Sequence, residues 1–194
     1  MKKLFLYVFL GLLLSGCSKE DKELSNFPIG GLIIGETLLK YMSEDKIIQN
    51  QIPVLERNTS GKFLKSIYTE SSLTYDGIAV EYKVKDKKYI IQGIVGFINY
   101  DGNIENCYKK QDKIDKKISS KYHYINRKDS GLEKLNYGGD GSTFRSITYY
   151  LNNGGEMWID CYYFTEGSTD GSLFETKFES NLKIIMSSKE MINK

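Results

Sequence analysis

Residues 78–100 read IAVEYKVKDKKYIIQGIVGFINY and contain the clearest strand pattern in the chain. From Ile78 to Val84, large apolar side chains alternate with smaller or polar ones, which is the period of two typical of a half-buried strand. A polar turn at 85–88 leads to a second stretch at 89–100 that is rich in Ile, Val, Phe and Tyr. The pattern predicts two antiparallel strands joined as a hairpin.

A second hairpin is predicted towards the C-terminus. Residues 144–151 and 156–164 flank Asn152-Asn153-Gly154-Gly155, a sequence suited to a tight turn between strands. Further strand candidates lie at 63–69, 72–75 and 173–186.

A long helix is predicted between the two hairpins. Asp101-Gly102-Asn103 can end the preceding strand and cap a helix, and apolar residues then recur with helical spacing from Ile104 to Ile118. Shorter helices are predicted at 36–42, at 43–50 and after the capping-box sequence at 187–190. We therefore expect an α+β fold: an antiparallel sheet of about six strands, with one long helix packed on it and short helices near both ends of the domain.

The long predicted helix carries a run of charges. Its lysines are Lys109, Lys110, Lys113, Lys116 and Lys117, with Asp112 and Asp115 among them. We interpret the run as a solvated helix face. The alternative is a basic patch for anionic lipid or nucleic acid, which the two interleaved acids would dilute.

The N-terminus has the pattern of an export signal. Lys2 and Lys3 precede an uncharged run at 4–14 that is too short to span a bilayer, and the run ends in Leu14-Ser15-Gly16-Cys17. This stretch resembles the lipobox of bacterial lipoprotein precursors. The resemblance implies cleavage before Cys17, a diacylglycerol on its thiol and an acyl chain such as palmitate on its amine, which together anchor the protein to a membrane. The alternatives are an ordinary secretory signal with an incidental Cys, and a buried hydrophobic helix.

The chain then divides into a signal peptide at 1–16, a lipidated polar tether at 17–27 and a single α+β domain at 28–194. Ser18, directly after the lipidated Cys, resembles an outer-membrane address under the sorting rule of enteric bacteria. We therefore expect a lipid-anchored protein of the cell envelope, at the periplasmic face of the outer membrane rather than at the inner membrane.

The composition is that of a folded domain. Of 194 residues, 40% are hydrophobic and 27% are charged, which excludes a polytopic membrane protein, a disordered charged tail and a collagen-like chain. Lys and Arg number 27 against 25 Asp and Glu, and cleavage would remove Lys2 and Lys3, leaving 25 of each. A neutral domain gives no reason to expect a nucleic-acid partner.

Two cysteines remain once Cys17 is lipidated. Cys107 lies on the apolar side of the predicted long helix, and Cys161 is in phase with Met157 and Ile159 on its predicted strand. They are the candidate disulfide pair in a compartment that can be oxidising, and the alternative is two buried free thiols. A chain with one His and two distant Cys lacks the usual ligands for zinc, so we expect no metal and no cofactor beyond the covalent lipid.

Catalytic motifs are absent from the sequence. His123 is the single His and lies just past the predicted helix end, where surface packing is the ordinary role. The segments 138–142 and 169–172 resemble calcium loops but lack the closing Glu of an EF-hand. Glu156 and Asp160 are carboxylates whose pairing cannot be inferred from sequence. We therefore predict no catalytic residue.

Aromatic residues are the one mild excess in the composition. Tyr149, Trp158 and Tyr162 lie on the second predicted hairpin and form the candidate binding face, because exposed aromatic rings favour contacts with proteins or sugars. The alternative is that these rings are part of the core or of an amphipathic rim.

Two segments, 34–47 and 75–118, resemble a scattered group of small exported bacterial proteins for which no activity is known. The stretch Cys107-Tyr108-Lys109-Lys110-Gln111-Asp112 is the most specific part of that resemblance. Our leading hypothesis is a non-enzymatic envelope lipoprotein that binds a protein or envelope component. The alternative is a small-molecule or glycan binder that uses the aromatic hairpin, and an enzyme based on carboxylates or His123 comes third.

Overall fold

The structure is a computed structural model that describes residues 22–52, 62–68, 74–100, 103–136, 140–165 and 180–192. The strands are β1 (Lys22–Glu23), β2 (Gln51–Ile52), β3 (Phe63–Tyr68), β4 (Gly77–Lys83), β5 (Ile91–Asn99), β6 (Tyr122–His123), β7 (Asn126–Lys134), β8 (Thr143–Tyr150), β9 (Glu156–Tyr163) and β10 (Asn181–Ser187). The α-helices are α1 (Glu44–Gln49), α2 (Ile104–Lys121) and α3 (Lys189–Ile192).

Eight strands form one antiparallel sheet in the order β2-β3-β4-β5-β10-β9-β8-β7. Both predicted hairpins are confirmed, since β4 pairs with β5 and β8 pairs with β9 in antiparallel register. The last strand, β10, lies between the two hairpins and pairs with β5 on one side and β9 on the other. The α+β class with one long helix is confirmed, but the prediction of about six strands is too low.

The long helix α2 packs on one face of the sheet, against β9 and β10. Asn103 caps it, with its side chain accepting a hydrogen bond from the Asn106 N–H at 3.3 Å. Cys107, Gln111 and Ile118 form its buried stripe. None of the helices in the described ranges combines the length and apolar character needed to cross a bilayer.

The N-terminal segment covers the same face of the sheet further along, over β4 and β5. Ile29 lies against Gly96 of β5, and Gly30 lies so close to Ile78 of β4 that a β-carbon would have no room there. We call this covered side the inner face of the sheet and the opposite side the outer face. The core lies between the inner face and the segments packed on it. Its fully buried side chains include Leu24, Leu32, Leu38, Ile47, Ile78, Ile94, Ile147 and Ile159.

The predicted tether at 17–27 is wrong over its second half. Lys22 and Glu23 pair with β6, Leu24 is fully buried in the core, and Phe27 packs edge-on against Tyr122. The domain therefore begins by Lys22, because these apolar side chains gain burial that a solvated tether would not provide. The preceding residues 17–21 lie outside the described ranges.

Strand β7 is the largest difference from the sequence prediction. Its nine residues are mostly exposed and carry five charges, so they show no apolar alternation. It lies at the edge of the sheet, and a bulge between Asp129 and Leu132 places Gly131 at φ +71°. Charges and bulges are common on edge strands, where they discourage pairing with other chains.

Three shorter predictions need correction. Within 36–42 only a short 3-10 turn forms, at Leu38–Lys40. Thr74 and Tyr75 do not form a strand, and residues 72–73 lie outside the described ranges. At α3 the Ser188 hydroxyl donates to the Gln92 side chain and Glu190 pairs with Lys83, so these contacts replace the predicted capping box.

Candidate functional site

The candidate binding face lies on the outer face of β8, β9 and β10. Along β9, Met157, Ile159 and Cys161 are buried on the inner face, so the intervening Trp158 and Tyr162 lie on the outer face. Both rings are half-buried and neither belongs to the hydrophobic core cluster. The two residues are four positions apart on one strand, which places their α-carbons ~13 Å apart.

The Tyr162 ring lies nearly parallel to two neighbouring rings. It lies 6.1 Å from the ring of Phe144 on β8, at an interplanar angle of 15°, and 6.1 Å from that of Phe164, at 5°. The Lys183 Nζ of β10 lies 4.9 Å from the Tyr162 ring centroid, a distance at which a cation is attracted to an aromatic face. The Tyr162 ring therefore contacts side chains of β8, of β10 and of Phe164, which directly follows β9.

A carboxylate lies between Trp158 and Tyr162 on the same strand. Asp160 is 7% exposed, and its Oδ1 accepts a hydrogen bond from the Ser146 hydroxyl at 2.6 Å, while the Tyr162 hydroxyl donates to Oδ2 at 3.3 Å. Burial raises the pKa of Asp160, opposed by the two hydrogen bonds and by the charge of Lys183. The cluster thus places two half-buried rings on either side of a buried, hydrogen-bonded carboxylate, which suits a ligand that packs on aromatic surfaces.

Tyr149 does not belong to this face. It lies directly opposite Met157 in the β8–β9 register and shares the inner face, where it is fully buried. Its hydroxyl donates to Asp115 of α2 at 2.5 Å, its ring packs edge-on against Tyr124, and burial raises its pKa. The sequence shows that neighbours on a strand alternate, but which side faces the helix depends on the register across the turn.

The other end of the outer face is closed. Lys65 of β3 and Glu81 of β4 form an ion pair at 2.9 Å, and both side chains are largely buried. Met191 of α3 packs beside them, so close to Gly93 that a β-carbon would collide with its sulfur. These contacts occupy the outer face at β3, β4 and β5, away from the candidate binding face on β8, β9 and β10.

Cys107 and Cys161 lie at disulfide distance on the inner face. Their sulfur atoms are 2.07 Å apart, their α-carbons are 6.0 Å apart, and both residues are fully buried. The pair joins α2 to β9, where Cys161 lies between Asp160 and Tyr162 in the sequence. It therefore holds the strand that carries the candidate binding face against the long helix.

Gln111 reinforces the same contact. It interrupts the apolar stripe of α2, but it is fully buried, and its Nε2 donates to the backbone carbonyls of Arg145 at 3.0 Å and Ile159 at 2.6 Å. From sequence alone, Gln111 looks like a polar interruption of the apolar stripe. Its buried role could not be predicted, because its partners are backbone carbonyls of strands that are distant in the chain.

A network of charged groups joins α2 to the edge of the sheet. Arg127 pairs with Asp115 at 2.7 Å, Arg145 pairs with Asp112 at 2.7 Å, and both guanidinium groups contact Asp129. The hydrogen bond from Arg145 holds the pKa of Asp129 below its ordinary value. The network is missed by sequence reasoning because it depends on β7, which the sequence does not reveal.

The residues considered for catalysis do not lie together in the structure. His123 lies exposed on β6, and Glu156 and Asp160 lie four positions apart on one strand, ~13 Å between α-carbons. Glycoside hydrolysis needs carboxylates ~5 to 10 Å apart. Burial raises the pKa of Glu156.

Within the described ranges, no group of three or more His, Cys, Asp or Glu side chains lies close enough together to bind a metal ion. Cys17, residues 138–139 and residues 169–172 lie outside those ranges.

The fold and this face define the class: an α+β domain with its core on one side of an eight-stranded sheet and a half-buried aromatic cluster on the other. No protein-family model, no curated protein and no solved structure matches the chain. The candidate binding face is therefore interpreted from its own chemistry.

Proposed function

We propose that the protein is a lipid-anchored lipoprotein of the bacterial cell envelope, and that its domain binds an envelope component without catalysing a reaction. The observation that carries the binding role is the position of Trp158 and Tyr162. Both rings lie on the outer face and are half-buried, whereas the comparable ring of Tyr149 is fully buried on the inner face. Aromatic rings kept outside a core are enriched where proteins meet ligands.

Two features support the envelope location. The lipobox at 14–17 would place lipid on Cys17, and Ser18 favours the periplasmic face of the outer membrane. The pairing of Cys107 with Cys161 also suits an oxidising compartment, because structural disulfides are rare in the cytosol.

A glycan is the ligand class that the cluster favours over a flat protein surface. Sugars present apolar C–H faces that pack on aromatic rings and hydroxyl groups that hydrogen-bond to carboxylates and hydroxyls. The outer face offers Trp158 and Tyr162, whose α-carbons lie ~13 Å apart, about the length of a few sugar residues. A protein partner that inserts its own side chains between the rings is the second candidate.

The test uses the native tryptophan. Trp158 is the single Trp in the chain, so its fluorescence reports directly on the outer face. Titration of the full-length lipidated protein with soluble peptidoglycan fragments should shift or quench the emission in a saturable way. Tyr162→Ala should weaken that binding about tenfold, through the loss of one stacked ring. Leu132→Ala, at an exposed position on β7, is the matched control and should bind as the wild type does.

A crosslinking pulldown from native membranes distinguishes the second candidate. One outcome favours a protein partner over a glycan. In that outcome, Trp158 fluorescence does not change with the glycan fragments, and the wild type captures a protein that Tyr162→Ala does not. Equal capture by wild type, Tyr162→Ala and Leu132→Ala, with native circular dichroism in each, would remove the outer face as a binding face. Mass spectrometry of the mature N-terminus checks for the lipid on Cys17.

A further inference from the structure

Five lysines of α2 form one exposed surface, which we call the lysine face. They are Lys109, Lys113, Lys116, Lys117 and Lys121, and all five are exposed. Three pairs of them are four residues apart, a spacing at which like charges destabilise an isolated helix. No ion pair between described residues involves a lysine of α2. The helix thus carries a concentrated group of lysines that form no ion pair with a described residue.

The acids that interrupt this run in the sequence are directed towards the sheet. Asp112 pairs with Arg145 of β8, and Asp115 pairs with Arg127 of β7, each at 2.7 Å. In the sequence, these two aspartates are the reason to interpret the run as a mixed, solvated face. In the fold both aspartates pair with arginines of the sheet, and neither forms an ion pair with a lysine of α2.

The chain enters the domain beside the C-terminal end of the lysine face. Lys22, the first described residue, pairs with Tyr122, which directly follows the last residue of α2. Only residues 18–21 separate it from Cys17, and the five steps from one α-carbon to the next extend at most ~18 Å. If Cys17 carries lipid, as in the proposed function, the end of α2 is held within that distance of the bilayer.

We propose that the lysine face docks on the anionic phospholipid headgroups of the membrane that holds the lipid anchor. From Lys109 to Lys121 the face extends ~18 Å along the helix, and with α2 lying along the bilayer all five ammonium groups can reach phosphates at once. Basic side chains near an anionic membrane surface are attracted within a Debye length, which is ~10 Å at moderate salt. The inference rests on the anchoring part of the proposed function and not on the identity of the ligand at the outer face.

The test is a lysine footprint of the full-length lipidated protein on vesicles. The protein is reconstituted on phosphatidylcholine vesicles or on phosphatidylcholine vesicles that contain phosphatidylglycerol, acetylated with a water-soluble reagent and analysed by mass spectrometry. We expect acetylation of the lysine face to slow about fivefold or more on the anionic vesicles. Lys46 and Lys87, which are exposed elsewhere on the domain, should react equally on both. The protection should vanish in ~1 M NaCl, where the Debye length is ~3 Å.

A matched pair of variants tests the charge itself. Lys113→Gln, Lys117→Gln and Lys121→Gln together should abolish protection of Lys109 and Lys116, whereas Lys46→Gln with Lys87→Gln should leave it intact. Equal footprints on both vesicles, from protein that floats with both, would overturn the docking and leave the anchor in place. Protein that fails to float with phosphatidylcholine vesicles would overturn the anchoring, and the docking with it. Neither result depends on the Trp158 titration.

Discussion

The two faces of β9 differ in what their side chains do. On the inner face, Met157, Ile159 and Cys161 are fully buried and contact other apolar groups. On the outer face, two rings are half-buried and Asp160 is held by hydroxyl groups. The same strand therefore contributes to the core on one side and to the candidate binding face on the other, and substitutions on the two sides should have different consequences.

The largest expected effect comes from removing the inner-face cross-link. Replacing Cys107 and Cys161 together by Ala should lower the free energy of unfolding by ~4 kcal/mol, because the bond closes a loop of 54 residues and restricts the unfolded chain. Urea unfolding measures the change, with the reduced wild type as the control that should match the double variant. A loss below ~1 kcal/mol would show that the cysteines act only as small apolar side chains.

A matched pair on β10 compares the two faces directly. Ile184 is buried on the inner face and Ile185 is half-buried on the outer face of the same strand. Ile184→Ala should cost ~3 to 4 kcal/mol because it leaves a cavity in a close-packed core, and Ile185→Ala should cost ~1.5 kcal/mol. Urea unfolding of both variants checks the difference, and equal losses would contradict the division between the faces.

The smallest expected effect is a difference in pH dependence between two aspartates. Arg145 holds the pKa of Asp129 low, so its contribution to stability is present above the unfolded pKa of ~3.9 and is lost as the pH falls through its native pKa. Burial raises the pKa of Asp160, so the native state is favoured below ~3.9 and loses that advantage as the pH rises through the native pKa.

Unfolding of Asp129→Asn and Asp160→Asn from pH ~7 to ~3 measures these opposite signs. Asp129→Asn should be less stable than the wild type at neutral pH, with the difference shrinking in acid. Asp160→Asn should gain stability at neutral pH relative to acid, and the exposed Asp140→Asn serves as the control. Parallel pH profiles for the two variants would show that the two carboxylates have similar environments.

The sequence predicts the hairpins and the long helix because their side chains repeat with periods that the fold uses. Residues 78–84 alternate and become β4, and the helical spacing from Ile104 becomes α2, capped by Asn103 as expected. The sequence does not predict β7, because an edge strand needs no apolar side and its charges pair with a helix distant in the chain. The sequence also does not predict the register between β8 and β9. For this reason it groups Tyr149 with Trp158, although the two side chains lie on opposite faces of the sheet.

The candidate binding face was predicted in part. Alternation along β9 places Trp158 and Tyr162 on one side from sequence alone. The partners that complete the cluster, Phe144, Ser146 and Lys183, come from β8 and β10 and depend on strand order. Strand order is set by long-range contacts across the whole sheet, and no local pattern encodes it.

The position of β10 also sets when the molecule can be completed. The strands before it form two groups, β2 to β5 and β7 to β9, and the sheet has no direct pairing between them. Residues 181–187 follow all the other strands of this sheet in the chain and join the two groups. A nascent chain that lacks them carries two incomplete half-sheets, each with an unsatisfied edge. The eight-stranded sheet can therefore be completed only after both groups and β10 have been synthesised, so its assembly depends on pairing between strands that are distant in the chain.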